Sequence, residues 1–204
     1  MVKLDLRKEM QEYYQSPAGE AVVIKVPKTR FIMVDCKGAP ESASFAGAIQ
    51  TMYGLAFTLK FKAKKKLGKD FPVMPLEGLW WVKGDGFDAK KRDDWLWTLM
   101  IMQPSLVTRG MFEEALEELK RKKATSAILP ARLETFEEGL SLQTMHAGPC
   151  STETGTIAKI EAFARENGYR MTGKHHEVYL GDPRRAAPSK LKTVIRHPIA
   201  GSET

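Results

Sequence analysis

Cysteine is scarce in this chain: Cys36 and Cys150 are the two present among 204 residues. That excludes a disulfide framework and an all-cysteine zinc cluster. Long apolar runs are absent too, and no stretch approaches the ~20 residues that a membrane span needs. The opening residues, MVKLDLRKEMQEYY, carry charges throughout and lack the apolar segment of a secretory signal. Phosphate-cradling and nucleophile signatures are missing as well: there is no G-x-x-x-x-G-K-[ST], no G-x-G-x-x-G and no G-x-S-x-G. Nor is there a helix-turn-helix, a zinc finger or an RNA-binding aromatic motif. Together these absences lead to the expectation of a reduced, cytoplasmic protein with no membrane partner, no direct DNA partner and no cofactor.

What is present is ordinary for a soluble domain, at 43% hydrophobic and 28% charged residues. The net charge of +7 is unevenly spread. Much of it lies in Lys60, Lys62, Lys64, Lys65, Lys66 and Lys69, and in RRAAPSKLKTVIRH near the end. The first run closes a predicted helix, where lysines suit the negative end of the dipole. Both runs read as solvated basic faces.

Residues 1–28 are polar and broken by Pro17 and Pro27, as expected of an arm that docks on a domain spanning 29–200. Within that domain one pattern occurs twice, over about 30–104 and 139–198. The first copy runs from the strand RFIMVDCKG through GAP to a helix over about 42–66. Its apolar residues Phe45, Ile49, Met52, Leu55 and Leu59 repeat at three and four. Two strands follow: LEGLWWVKG, ending at the turn Gly84-Asp85-Gly86, and DWLWTLMIMQP, stopped by Pro104. The second copy has the strand LSLQTMHAG, then GPC, and a helix over about 152–167 with acidic Glu153 at its start. The strand HHEVYL comes next, and KLKTVIRHP closes the copy, stopped by Pro198. Setting LEGLW against HEVYL places Glu77 opposite Glu177. A helix over about 108–123 and a strand over about 132–136 join the copies. Each copy is too small to bury much alone, so the reading is one α+β domain of two pseudo-symmetric strand-helix-strand-strand repeats with a ligand cleft between them.

On a strand, His175, Glu177 and Tyr179 share one face, while His176, Val178 and Leu180 share the other, mostly apolar one. A metal centre needs more ligands than His175 and Glu177 supply, and the spacing of His146 and His197 does not recommend them. Two readings of the face stand. Either Glu177 is a solvated glutamate paired with a lysine, or it is an acid/base group in an apolar site, with Tyr179 donating to a developing oxyanion. The four tryptophans, Trp80, Trp81, Trp95 and Trp97, favour the second. Trp95 and Trp97 share a face, Trp80 and Trp81 point opposite ways, and aromatic walls suit flat, apolar or cationic ligands. Met33, Met100, Met102 and Met145 also fall in strands, as adaptable lining or as core. Cys150, before a helix N-terminus, has no evident base beside it.

The duplicated plan, the paired glutamates and HHEVYLGDPRRAAPSKLKTVIRHPI resemble the GyrI-like small-molecule-binding family. MPLEGLWW, WLWTLMIMQP and QTMHAGP resemble its stand-alone subgroup, which lacks a DNA-binding domain. The resemblance covers Lys25 to Ile199. It implies a pseudo-two-fold α+β fold that holds lipophilic, often aromatic and cationic compounds around a buried acid, here Glu177. For the stand-alone subgroup it also implies detoxification by hydrolysis of cyclopropane-bearing DNA-alkylating compounds. By that resemblance Glu177 activates water, Tyr179 hydrogen-bonds the conjugated carbonyl, and Trp95 or Trp97 stacks on the ligand. Trp80, Trp81, Met33, Met145 and His175 complete the expected lining. Relatives often carry Tyr where this chain has Cys150, which removes one aromatic wall. Two further readings are a non-catalytic sequestering protein and a topoisomerase-interacting inhibitor. Exposed strand edges and tryptophans are compatible with a homodimer.

Overall fold

Residues 2–84, 92–122, 128–183 and 185–201 are described by the structure, a computed structural model. In chain order the elements are β1 (Val2–Lys3), α1 (Leu6–Glu9), α2 (Gln11–Tyr14), β2 (Val22–Val26) and β3 (Thr29–Lys37). Then come α3 (Ala43–Leu67), β4 (Lys69–Asp70), β5 (Leu76–Trp81), β6 (Leu96–Gln103) and α4 (Arg109–Lys122). The remainder is β7 (Arg132–Phe136), β8 (Gly139–Ala147), α5 (Thr154–Glu166), β9 (Tyr169–Met171), β10 (His175–Tyr179) and β11 (Lys192–Gly201). Of the expected turn at Gly84-Asp85-Gly86, the last two residues lie outside the described ones.

The helices end where their residues dictate. Ser42 caps α3 by accepting from the Phe45 N–H, and Gly68, at φ 63°, closes it in the left-handed conformation that glycine adopts without strain. Met52, Leu55 and Leu59 are fully buried beneath α3, as their spacing predicts. The lysines that close α3 are drawn into ion pairs: Lys62 Nζ lies 2.9 Å from Glu118 and Lys66 Nζ 2.5 Å from Glu114, both on α4.

The main sheet has the order β2-β8-β11-β10-β5-β6-β3-β7, with β9 added on β11. Its repeats are β3-α3-β5-β6 and β8-α5-β10-β11, and they meet where β5 pairs antiparallel with β10. The α+β architecture with two pseudo-symmetric halves is as expected from the sequence.

Directly paired residues of antiparallel strands point to the same face. One face therefore carries Glu177, Tyr179, Gly78, Trp80, Trp97 and Ile195, through the pairs Glu177–Gly78, Trp80–Trp97 and Glu177–Ile195. Both long helices cover this face. Phe45 of α3 packs on Trp80 and Trp97, and Ile160 of α5 packs with Leu142 and Ile195. The N-terminal segment covers the other face, where Gln143 Nε2 donates to the carbonyls of Glu12 and Gln15.

Two features depart from the sequence reading. Glu77 does not stand opposite Glu177: it pairs with Val178, while Gly78 pairs with Glu177. A slip of one residue moves a side chain to the other face, so the two glutamates project from opposite sides of the sheet. The last strand also does not stop at Pro198 but runs on to Gly201. Its partner β10 ends at Arg196 and β9 takes over at Ile199, so the missing N–H falls in the gap between partners. The Pro198 carbonyl is still used, accepting from Thr172 N at 2.8 Å.

Candidate functional site

Glu177 sits at the centre of β10, 7% exposed, on the helix-covered face. A line of hydrogen bonds holds it. Trp80 Nε1–H donates to Tyr179 Oη at 3.0 Å, and the Tyr179 phenol stands beside the Glu177 carboxylate on the same face. Burial, then the Glu177 charge, push the Tyr179 phenol well above its usual range, so it stays a donor. Glu177 Oε1 lies 2.9 Å from His175 Nε2, and His175 Nδ1 lies 2.7 Å from His197 Nε2. Burial and the neighbouring His175 hold His197 down to about 3, so it is neutral. One tautomer set satisfies both contacts: His197 Nε2–H donates to His175, and His175 Nε2–H donates to Glu177.

The arrangement depends on Gly78, which stands opposite Glu177. A Cβ there would lie 2.7 Å from Trp80 Nε1 and 3.0 Å from Tyr179 Oη. The absent side chain makes room for the indole–phenol contact.

The aromatic wall continues outward. Trp95 meets Trp80 edge-on at 5.4 Å, and the Arg92 guanidinium lies 5.6 Å from the Trp95 ring centre. Trp97 is fully buried and donates to the Gly38 carbonyl at 3.0 Å. Trp80, Trp95, Trp97, Tyr179, Glu177 and His175 are thus brought together. Trp81, Met33 and Met145 are not. Trp81 follows Trp80 on β5 and points to the other face, where Lys174 Nζ lies 3.3 Å from its ring centre. Met33 pairs with Met100, which pairs with Glu77, and Met145 pairs with Val194, which pairs with Val178; all lie on that same far face.

The sequence reading passed over one member of the site. Glu153, 4% exposed, stands just before α5, close to Glu177, Cys150 and Thr193. Burial and the charge of Glu177 push its carboxyl up to about 9. Cys150, on the exposed rim, is pushed up to about 12 by burial of its thiol and by both carboxylates. Ligand atoms of Cys150, Glu153 and Glu177 lie within 4.8 Å of one another. The set offers one sulfur and no histidine nitrogen, which does not fit the N/S-rich sets that hold zinc. In sequence Glu153 shows only the acidic residue that any helix start favours.

The far face of β10 is more polar than its sequence suggests. His176 Nδ1 lies 2.9 Å from both Glu138 oxygens, and His176 Nε2 lies 3.1 Å from Glu77 Oε2. Arg196 donates to Glu138 at 3.0 Å and to Gln143 at 3.2 Å. The cavity beside this network has room for about one water molecule. Its members satisfy one another, as a structural polar core requires.

No curated protein sequence matches the chain. Among solved structures, an uncharacterized conserved protein from Listeria innocua is 41% identical, with a TM-score of 0.89 over 97% of this chain and 100% of that one. A hydrolase from Listeria innocua is 40% identical, with a TM-score of 0.86 over the same shares. The C-terminal domain of EcmrR, 11% identical, shares the fold alone, with a TM-score of 0.55 over 89% of this chain and 98% of that domain. The GyrI-like small molecule binding domain matches residues 20–200, and the chain belongs to that family.

Proposed function

We propose that the site between α3 and α5 binds a flat, hydrophobic aromatic molecule and adds water to it, opening an electrophilic ring such as an activated cyclopropane. One observation carries this reading: a nearly buried carboxylate, Glu177, is held by the Tyr179 phenol and His175 beside a wall of Trp80 and Trp95. The wall supplies stacking, and the oriented carboxylate supplies a base. The step adds one water. A water O–H proton passes to Glu177, the oxygen bonds to the ring carbon, and the strained C–C bond breaks. Its electrons move into the conjugated carbonyl, whose oxygen is protonated. Tyr179 hydrogen-bonds that oxygen as its charge grows. The hydrolase from Listeria innocua, 40% identical, supports a hydrolytic activity.

The test is mass spectrometry of a cyclopropane-bearing alkylator incubated with the wild type and with Glu177→Gln. We expect a water adduct with the wild type and a rate lower by roughly 10²- to 10⁴-fold in the variant. Tryptophan quenching on binding should persist in both proteins. Quenching without conversion in either would leave a sequestering protein.

A further inference from the structure

Glu153 and Glu177 come from different elements and are 24 residues apart in the chain, yet a carboxyl oxygen of each lies within 4.8 Å of the other. Both are more than nine-tenths buried, at 4% and 7% exposure. Among the described residues, no lysine or arginine forms an ion pair with either. Two like charges in such a place cannot both persist, so the pair holds one proton between them.

The donors decide which member holds it. Glu177 faces the Tyr179 hydroxyl and His175 Nε2, and behind His175 stands neutral His197. Among the described residues, the donors beside Glu153 are the weaker Thr193 hydroxyl and Cys150 thiol. The stronger donor set stabilises the anion on Glu177. The α5 N-terminus favours charge on Glu153, but too weakly to reverse the effect of burial beside a like charge. Glu153 Oε1, moreover, is buried with no hydrogen-bond partner. Such an atom is costly unless something outside the protein's own network meets it.

We propose that Glu153 is the acid partner of Glu177: it keeps the proton of the pair and gives it to the carbonyl oxygen of the bound electrophile. This rests on the hydrolytic reading above and completes its proton balance. Glu177 takes a proton from water as Glu153 releases one to the product oxygen. The pair then again holds one proton, now on Glu177. A transfer between the two neighbouring carboxyls restores the starting state, and no other base or acid is needed. The substrate class narrows accordingly to neutral molecules whose leaving electrons reach an oxygen, rather than cations that would displace the proton.

The test has a direct arm and a kinetic arm. Difference infrared spectroscopy of the glutamate-labelled protein at neutral pH should show one protonated carboxyl, absent from Glu153→Gln. Glu153→Gln should bind the cyclopropane-bearing probe with the same tryptophan quenching but convert it roughly 10²- to 10⁴-fold more slowly. In the unaltered protein, where folding is not in question, the rate should fall as pH rises through about 9, where Glu153 loses its proton. A wild type without that carboxyl band, or a Glu153→Gln variant converting within a few-fold of wild type, overturns the proposal. A wild type that shows the band and converts nothing instead overturns the hydrolytic reading and, with it, the donor role; the band still establishes the shared proton.

Discussion

The Tyr14 hydroxyl donates to Glu77 Oε1 across 2.7 Å, tying the N-terminal segment to the centre of the sheet on the face away from the candidate site. Burial and the Glu77 carboxylate push this phenol well above its usual range, so the bond persists at alkaline pH. Tyr14→Phe leaves a buried acceptor short of one partner. We expect a loss of about 1–3 kcal/mol in urea unfolding. Proteolysis ahead of residue 20 should quicken with it. Unchanged protection of that segment would show that Leu6 and the backbone bonds to Gln143 hold it without Tyr14.

The network behind Tyr14 predicts how stability follows pH. Burial alone would lower His176, but Glu138 and Glu77 more than offset it and raise the imidazole from 6.5 to about 9. Its stabilisation is therefore complete below pH 6.5 and is lost as pH rises through about 9. Burial alone would raise Glu138, but His176 and Arg196 lower it from 4.5 to about 2. That stabilisation is complete above pH 4.5 and is lost as pH falls through about 2. Unfolding free energy should peak between these limits. Glu138→Gln should cost about 3–5 kcal/mol by leaving Arg196 and His176 without their shared carboxylate. It should also remove the share of the alkaline slope that His176 carries, leaving the share of Glu153, which is raised from 4.5 to about 9. A variant whose slope is undiminished would place its origin away from His176.

Much of this architecture was readable from period alone, and the limits of that reading have a physical origin. Met52, Leu55 and Leu59 announce the buried stripe of α3, and the turns at Gly38 and Gly148, both at positive φ, mark the two halves. Glu177, Tyr179 and His175 could be put on one face because a strand alternates. Pairing between strands is a different matter. LEGLW and HEVYL look alike, yet Gly78 rather than Glu77 meets Glu177, because register is set by contacts that neither strand contains. Met33, Met145 and Trp81 went to the far face for the same reason. Glu153 was hidden in another way: an acid at a helix start has an ordinary explanation, and only tertiary folding brings it to Glu177.

Gly78 offers a sharper test of the site. Gly78→Ala puts a methyl group 2.7 Å from Trp80 Nε1, closer than real contacts allow, and a tight 3.0 Å from Tyr179 Oη. We expect about 1–3 kcal/mol of destabilisation from overpacking. The Trp80–Tyr179 hydrogen bond should break, with weaker ligand quenching. Gly110→Ala in α4, where nothing lies within 4 Å of the new methyl, should instead stabilise by about 0.4–1 kcal/mol. If both variants behave alike, the space at Gly78 is not what fixes the phenol.

Cys150 bears on the proposed chemistry as well, because a thiol beside an electrophile would compete with water. It stands on the exposed rim, where a cysteine is usually open to alkylation. The thiolate is the reactive form, and burial together with the Glu153 and Glu177 carboxylates pushes this thiol from 9.0 up to about 12. At mildly alkaline pH its thiolate population is then lower by roughly 10³-fold, one factor of ten for each pH unit of that rise. Iodoacetamide should label Cys150 slowly despite its exposure, and Glu177→Gln should label faster, since one repelling charge is gone. The same burial and acidic surroundings proposed to serve the water addition would thus keep the neighbouring sulfur from being alkylated in its place. Rapid labelling of the wild type at Cys150 would sink that idea, and the bound electrophile would then be expected to modify the protein itself.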